Sequence, residues 1–308
     1  FARANVFLRH HRETENHQLT ITATGYTAEW DSTDQIPARA VADGSLDRFG
    51  FVDPTDGGES ERFSLTVASE WQHGDSETRF DTYFLEDPIN GDQFEQVDDR
   101  TILGGTLTHA WTAGSERGTR HTLGLQTQVD LIDEVGLHLT RERVRLNTVR
   151  TDEIQETSVA AYWQSETAWT DRLRTIAGVR ADAYWFDVTS DLAANSGTAN
   201  DTLVSPKFSA VYTPHAKHEL YAGAGLGFHS NDARGTTIAV DPVEGGPADP
   251  VDPLARSRGF ELGWRSNPLP GWISSVALFH LENDSELVFV GDAGGTEAAG
   301  ASQRHGVE

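Results

Sequence analysis

Residues 61–73 alternate with the period of a β-strand. Phe63, Leu65, Val67 and Trp71 hold odd positions, while Arg62, Ser64, Thr66, Glu70 and Gln72 hold even ones. Successive side chains of an extended chain point to opposite faces, so such a segment has one apolar and one polar face. In 121–131, Leu123, Leu125, Val129 and Leu131 alternate with Thr122, Gln126, Gln128 and Asp130. In 157–169, Val159, Ala161, Trp163 and Trp169 oppose Ser158, Tyr162, Gln164 and Glu166. Segments 17–25, 173–185, 204–213 and 218–228 repeat the pattern less cleanly, and 272–283 is ambiguous because Val276 to Phe279 is apolar on both faces. No segment carries a convincing helical stripe.

This periodicity predicts strands near 4–10, 17–30, 61–73, 76–85, 100–112, 119–131, 154–169, 173–187, 204–213, 218–229, 258–266 and 272–283, with a last one opening near 303. The connections alternate in length. Short ones include 73–76, 170–172 and 213–217; long ones run over 31–60, 86–99, 132–153, 188–203, 230–257 and 284–302. In an up-and-down sheet every second connection returns to the same side, so all the long loops gather at one end. Outer-membrane barrels have this asymmetry. A soluble sandwich or propeller also alternates in hydrophobicity but has little reason to keep it.

Tryptophan placement agrees. Trp71, Trp111, Trp169, Trp264 and Trp272 lie beside short turns, Trp30 and Trp185 at strand ends that meet long loops, and Trp163 in mid-strand. Indole rings favour the membrane–water boundary, and membrane barrels carry two aromatic girdles. Taken alone, the same placement also fits aromatics that close the ends of a soluble core.

Composition changes the picture in three ways. Mean hydropathy is -0.47 and the longest apolar runs, such as Val276–Phe279, stop at four residues. A spanning helix needs roughly 20 and is excluded; a membrane strand is not, since only alternate residues meet lipid. The net charge of -24, from 48 Asp and Glu against 24 Lys and Arg, argues against nucleic acid, whose phosphates demand basic partners. The acid concentrates in the long loops: 86–99 holds six acidic residues and no Lys or Arg. There is no cysteine, hence no disulfide or thiolate metal site, and no methionine; Phe1–Ala4 lacks an export leader. Both ends are therefore expected to be cuts.

Three passages carry a family resemblance. Ser205-Pro206-Lys207-Phe208 leads through Val211-Tyr212-Thr213-Pro214 to Glu219-Leu220-Tyr221-Ala222 and on into Gly225-Leu226-Gly227-Phe228-His229-Ser230-Asn231-Asp232-Ala233-Arg234-Gly235. Arg258-Gly259-Phe260-Glu261-Leu262-Gly263 opens another strand, and Arg304-His305-Gly306-Val307-Glu308 a later one. These resemble the barrel of TonB-dependent receptors, most specifically over 200–308 and more loosely over 17–190. The resemblance implies an all-β, antiparallel, up-and-down transmembrane β-barrel. About 13 of roughly 22 strands are visible, so 1–308 is expected to be a partial barrel domain lacking plug and TonB box. It also implies the outer membrane of a Gram-negative bacterium, contact with bilayer and lipopolysaccharide, and partnership with the TonB complex through the N-terminal region. The activity implied is energised uptake of a scarce nutrient, with a ferric siderophore as leading cargo and a cobamide, a glycan or another metal chelate left open. A passive porin and a soluble extracellular β-rich binding module stand as alternatives.

No catalytic constellation, resident cofactor or metal site is legible, and we read the chain as a non-enzyme. His10 and His11 are adjacent in a strand and point to opposite faces. Asp53-Pro54-Thr55-Asp56-Gly57-Gly58-Glu59 clusters oxygen ligands as a Ca²⁺ loop does, but reads as a solvated acidic turn. Strand parity puts Asp182 and Tyr184 on the lumen side late in one strand, Lys207 early in the next and His229 at the top of the one after. With Arg234 they are the candidate cargo contacts. The competing reading is that they satisfy one another or a plug. Acidic loops would mildly favour a neutral or cationic cargo, or one bridged by divalent cations.

Overall fold

The computed structural model describes all residues except 33–35, 87–88, 92–93, 115–117 and 291–294, and the side chains of 85–94 and 289–297 also lie outside the description. Part of the predicted acidic loop 86–99 therefore falls outside it. In chain order the strands are β1 (Ala2–Glu13), β2 (His17–Asp31), β3 (Gly57–His73), β4 (Ser76–Glu86), β5 (Ile89–Gly91), β6 (Phe94–Ala113), β7 (Thr119–Arg141), β8 (Val144–Ala168), β9 (Leu173–Ser190), β10 (Gly197–His215), β11 (His218–Ser230), β12 (Leu254–Ser266), β13 (Ser274–Asn283), β14 (Glu286–Val290), β15 (Gly295–Ala299) and β16 (Ser302–Val307). Thirteen of them form one antiparallel path, β1-β2-β3-β4-β6-β7-β8-β9-β10-β11-β12-β13-β16; β5 pairs with β3 and β6, and β14 with β15 forms a separate hairpin. The helices are single turns, α1 (Ala38–Ala42) and α2 (Ala233–Thr237), with a 3₁₀ turn at Ala193–Asn195. All thirteen predicted strands exist, in the predicted up-and-down order. Among the described residues the sheet stays open: β1 pairs with β2 and β16 with β13, not with each other.

The register shows why the alternation matters. Leu65 pairs with Phe84, Phe84 with Leu103, Leu107 with Leu125, Leu123 with Trp163 and Trp163 with Val179. Paired residues share a face, so one face becomes a continuous apolar band. That face is bare: Phe63, Leu65, Leu123, Leu125, Val159, Trp163 and Val179 are all exposed, Leu125 by 57%, and Val67 is half-exposed. The opposite face is engaged instead. Thr24 bonds Ser64, Tyr83 bonds Gln128, and Arg180 bonds Gln126 across strands. The helix α2 packs on β8, β9 and β10, with Ala233 seated against Ile132, Ile154, Phe186 and Val188. Thr66, on the polar face of β3, is exposed as well.

The departures from expectation lie at the long-loop end. Residues 132–153, expected as a loop, are the far ends of β7 and β8. Residues 188–203 are mostly β9 and β10. The first hairpin turns on Glu142 and Arg143, both with positive φ (52° and 61°). Such a turn normally calls for Asn-Gly, so the sequence gives no turn signal where one exists. Register shifts at Ile132/Val135, Leu137/His138 and Leu139/Thr140 break the parity that would have revealed the strands. The tip is stitched to the neighbouring loop, Arg143 Nε donating to the Thr55 carbonyl at 2.7 Å and its guanidinium lying 3.6 Å from Asp31.

On the inner face, tyrosines lie flat over glycines of the adjoining strand. Gly124 pairs with Tyr162, and a Cβ at Gly124 would fall inside the Tyr162 ring. Gly124→Val should therefore force Tyr162 off the wall and destabilise the sheet by about 1–3 kcal/mol, the usual range for overpacking. A thermal melt of the folded protein in detergent checks this, and Gly124→Ala should show a smaller drop.

Candidate functional site: the inner wall beneath the long loops

Every second residue of β9 faces inward, and the register carries that face across to β10: Gly178 opposes Lys207, Arg180 opposes Ser205, and Tyr184 opposes Asp201. With the inner residues of β7 and β8 and the top of β11, these line a cavity of about 740 Å³. Gln126, Arg180, Tyr184, Lys207 and His229 are its main polar walls. Three of the five sequence candidates thus meet in one space. Lys207 lies along the wall between Gly178 and Gly225, each of which leaves room that a Cβ would crowd to 3.0–3.3 Å. The structure gives its ammonium no acceptor among the described residues. His229 turns a buried Nε2 without a hydrogen-bond partner. Tyr184 meets the Phe228 ring edge-on at 5.8 Å, bridging from β9 to β11.

Asp182 takes a different place from that expected of a wall contact. It is 1% exposed, and both its oxygens accept from Arg180, Oδ1 at 2.7 and 2.8 Å and Oδ2 at 3.0 Å. It holds the Arg180 guanidinium, which also donates to Gln126 at 3.0 Å and lies over the Tyr162 ring. Arg180 presents the charge to the cavity. Its signal was in the sequence, since it shares the parity of Asp182 two residues on.

Arg234 stands one tier higher, in a second cavity of about 280 Å³ lined also by Arg150, Asn231, Asp232 and Asp241. Asp232 caps α2, accepting from Arg234 N at 3.0 Å, while the Arg234 side chain closes on the same carboxylate at 2.6 Å. Burial opposes ionisation of both groups, and their mutual hydrogen bonds and attraction outweigh it. Asp232 is held below the usual carboxylate range and Arg234 above its ordinary value. Arg150 pairs with buried Asp152 at 2.8 Å. Asp152 Oδ1, Asn231 Oδ1 and one Arg234 terminal nitrogen are buried without partners. Orphans of opposite polarity around one small cavity can be satisfied by water or by a bound polar group. The Asp53 turn is closed on itself instead, its Oδ1 accepting from Thr55 N and Oγ1, and no group of metal-ligating side chains is found among the described residues.

The profile described as TonB dependent receptor-like, beta-barrel, matches residues 3–308. The chain belongs to the TonB-dependent receptor β-barrel family. As a member it is an outer-membrane protein of a Gram-negative bacterium, in a family of receptors and transporters. Solved receptors share its fold. The ferric yersiniabactin uptake receptor FyuA of Yersinia pestis superposes with a TM-score of 0.72 at 16% identity, over 99% of this chain and 48% of that one. The unliganded ferric citrate transporter FecA gives 0.76 at 12%, over 99% and 46%. The ferric-catecholate import receptor Fiu of E. coli K12 gives 0.72 at 12%, over 99% and 54%. This TonB-dependent receptor chain thus spans about half the length of those structures. No curated protein matches it in sequence. In the family frame the long-loop end is external, so α2 and the Asp232–Arg234 pair stand above the larger cavity.

Asp232→Ala should leave Arg234 buried and unpaired, at a local cost of about 3–5 kcal/mol, and release α2 from the wall. Limited proteolysis within 231–253 should accelerate. Because the Asp232 value is depressed, its contribution is complete above the ordinary carboxylate range and is lost as pH falls through the lower folded value. Wild-type protection of this segment should therefore hold from neutral pH to about 5.

Proposed function

We propose that this chain forms the cargo-binding wall of a receptor for TonB-energised uptake of a ferric chelate, a siderophore being the leading candidate. The carrying observation is the inner cavity beneath the external loops, where Arg180, Tyr184, Lys207 and His229 converge and the lysine has no partner among the described residues. Ferric chelates offer carboxylate, catecholate or hydroxamate oxygens, which suit ammonium and guanidinium donors. The printed cargoes of the structural relatives, ferric yersiniabactin, ferric citrate and ferric catecholates, support the class without fixing the member.

The acidic external surface opposes an anionic cargo only at long range. Charges in water are screened over about 8 Å at physiological ionic strength, whereas the cations of the cavity act at contact. The loops would slow approach, and Arg180 and Lys207 would hold what arrives. The unpaired edges of β1 and β16 fit a barrel of roughly 22 strands whose remaining wall completes them. A plug inside that barrel, reached by TonB from the periplasm, is the proposed gate. Bilayer lipid and lipopolysaccharide are the proposed surroundings of the outer face.

The test is binding and uptake by the full-length receptor carrying Lys207→Ala or His229→Ala, with surface expression checked. Loss of a charge-assisted hydrogen bond is worth about 1.5–3 kcal/mol, so Lys207→Ala should weaken binding roughly tenfold or more. Unchanged affinity in both variants would remove these residues from the site.

A further inference from the structure

The outer face carries a second feature. At the short-turn end three tryptophans, Trp71, Trp111 and Trp264, pack against histidine rings. His17 lies on Trp71 at 5.0 Å between ring centroids, 14° from parallel. His109, Trp111, His121 and Trp163 form a column across β6, β7 and β8, with spacings of 5.7, 5.3 and 5.8 Å. His218 lies on Trp264 at 5.9 Å, with His215 beside it at 6.1 Å. The register puts every one of these rings on the apolar face: His109 pairs with Leu123, Trp111 with His121, and Leu220 with Trp264. Trp163, which the sequence leaves isolated in mid-strand, closes the column.

Among the described residues the belt holds no fixed charge. From β3 to β12 the strand charges at this level fall on the inner face as ion pairs, Arg120 with Glu77, Arg174 with Glu166 and Arg265 with Glu219. Facing the imidazoles on the outer side are hydroxyls: Ser69 on His17, at 2.7 Å, and Thr78 on His109, at 2.9 Å. His121 keeps a buried Nδ1 without a partner. The turns beyond carry charges of both signs, Asp75, Asp171, Arg172 and Lys217, and the nearest strand cation on this face is Arg12 of β1, opposite Leu19. Histidine is thus the titratable element of the belt, and it is the side chain whose charge ordinarily changes between pH 5 and 8.

We infer that this belt is a protonation-dependent binding surface for the phosphate groups of anionic phospholipids in the periplasmic leaflet. The inference rests on the placement of the apolar face against lipid. The band above seats acyl chains, the indoles sit at the boundary, and imidazolium N–H groups donate to phosphate where other proteins use Lys or Arg.

The experiment reconstitutes the full-length receptor into nanodiscs of phosphatidylcholine with a minor fraction of phosphatidylglycerol. It measures the phosphatidylglycerol retained by the protein at about pH 5.5 and about pH 8, the two sides of the ordinary imidazole range. Wild type should be enriched several-fold at the lower pH, about fivefold for each charge gained at an anionic surface, and not at the higher. The combined variant His17→Gln, His109→Gln, His121→Gln, His215→Gln, His218→Gln should lose the acid enrichment while still inserting. Single His109→Lys should show enrichment at both pH values, and it serves where the combined variant does not fold. Equal enrichment of wild type at both pH values, or acid enrichment that survives in the combined variant, would overturn the inference. Failure of any form to insert in either lipid would instead count against the membrane placement itself.

Discussion

A backbone amide in hydrocarbon has no water to bond, and leaving one unsatisfied costs several kcal/mol. The remaining features of the molecule are arranged around that constraint. A strand can meet it only through its neighbours, so each strand between β1 and β16 on the path is committed to the one before and the one after it, antiparallel throughout. Side chains are then relieved of holding the fold together by a common apolar core. This explains how a chain with so hydrophilic an average composition lies in a membrane, and why its large apolar side chains are the exposed ones.

Once the ladder fixes the faces, the two sides follow separate chemistries. Outward, apolar residues need only contact lipid, and the boundary requires rings with a polar edge. Inward, polar residues must satisfy one another at a distance from bulk solvent. They do so by short-range pairing along and across strands: Arg180 with Asp182, Arg150 with Asp152, Tyr83 with Gln128. Where pairing is incomplete among the described residues, at Lys207, His229 and Arg234, the unmatched groups border cavities and are available to something else. A binding wall in this architecture is the set of inner residues the sheet leaves unfinished.

This division also sets what the sequence can reveal. Within the lipid band, facing is imposed by solvent on one side, and the period of two is strong enough to place Leu65, Leu125 or Trp163 correctly with no other information. Beyond the band that pressure ends. Outside it β7 and β8 continue as a hairpin with Val135, Leu137 and His138 buried in succession, interrupted by bulges and turned by Glu142-Arg143 rather than by glycine. Charge density there reads as loop although the backbone is paired. The candidate site shows the same limit. Parity identifies which residues look inward, including Tyr184 and Lys207, but not which of them another side chain has already claimed. Asp182 and Arg180 share one face and one strand; only the coordinates show that the acid is consumed in holding the base.

The inner glycines bear on the same point. Gly178 and Gly225 flank Lys207 and let its stem lie along the wall, as Gly124 admits the Tyr162 ring. A strand normally loses stability at glycine, and three such positions within one wall would be a liability if the inner face were mere lining. The open surface they create lets long polar side chains lie flat, keeping the cavity wide while leaving their functional ends uncovered. In a wall whose backbone cannot bend away from its neighbours, omitting a side chain on one strand is the available way to make room for the working end of another.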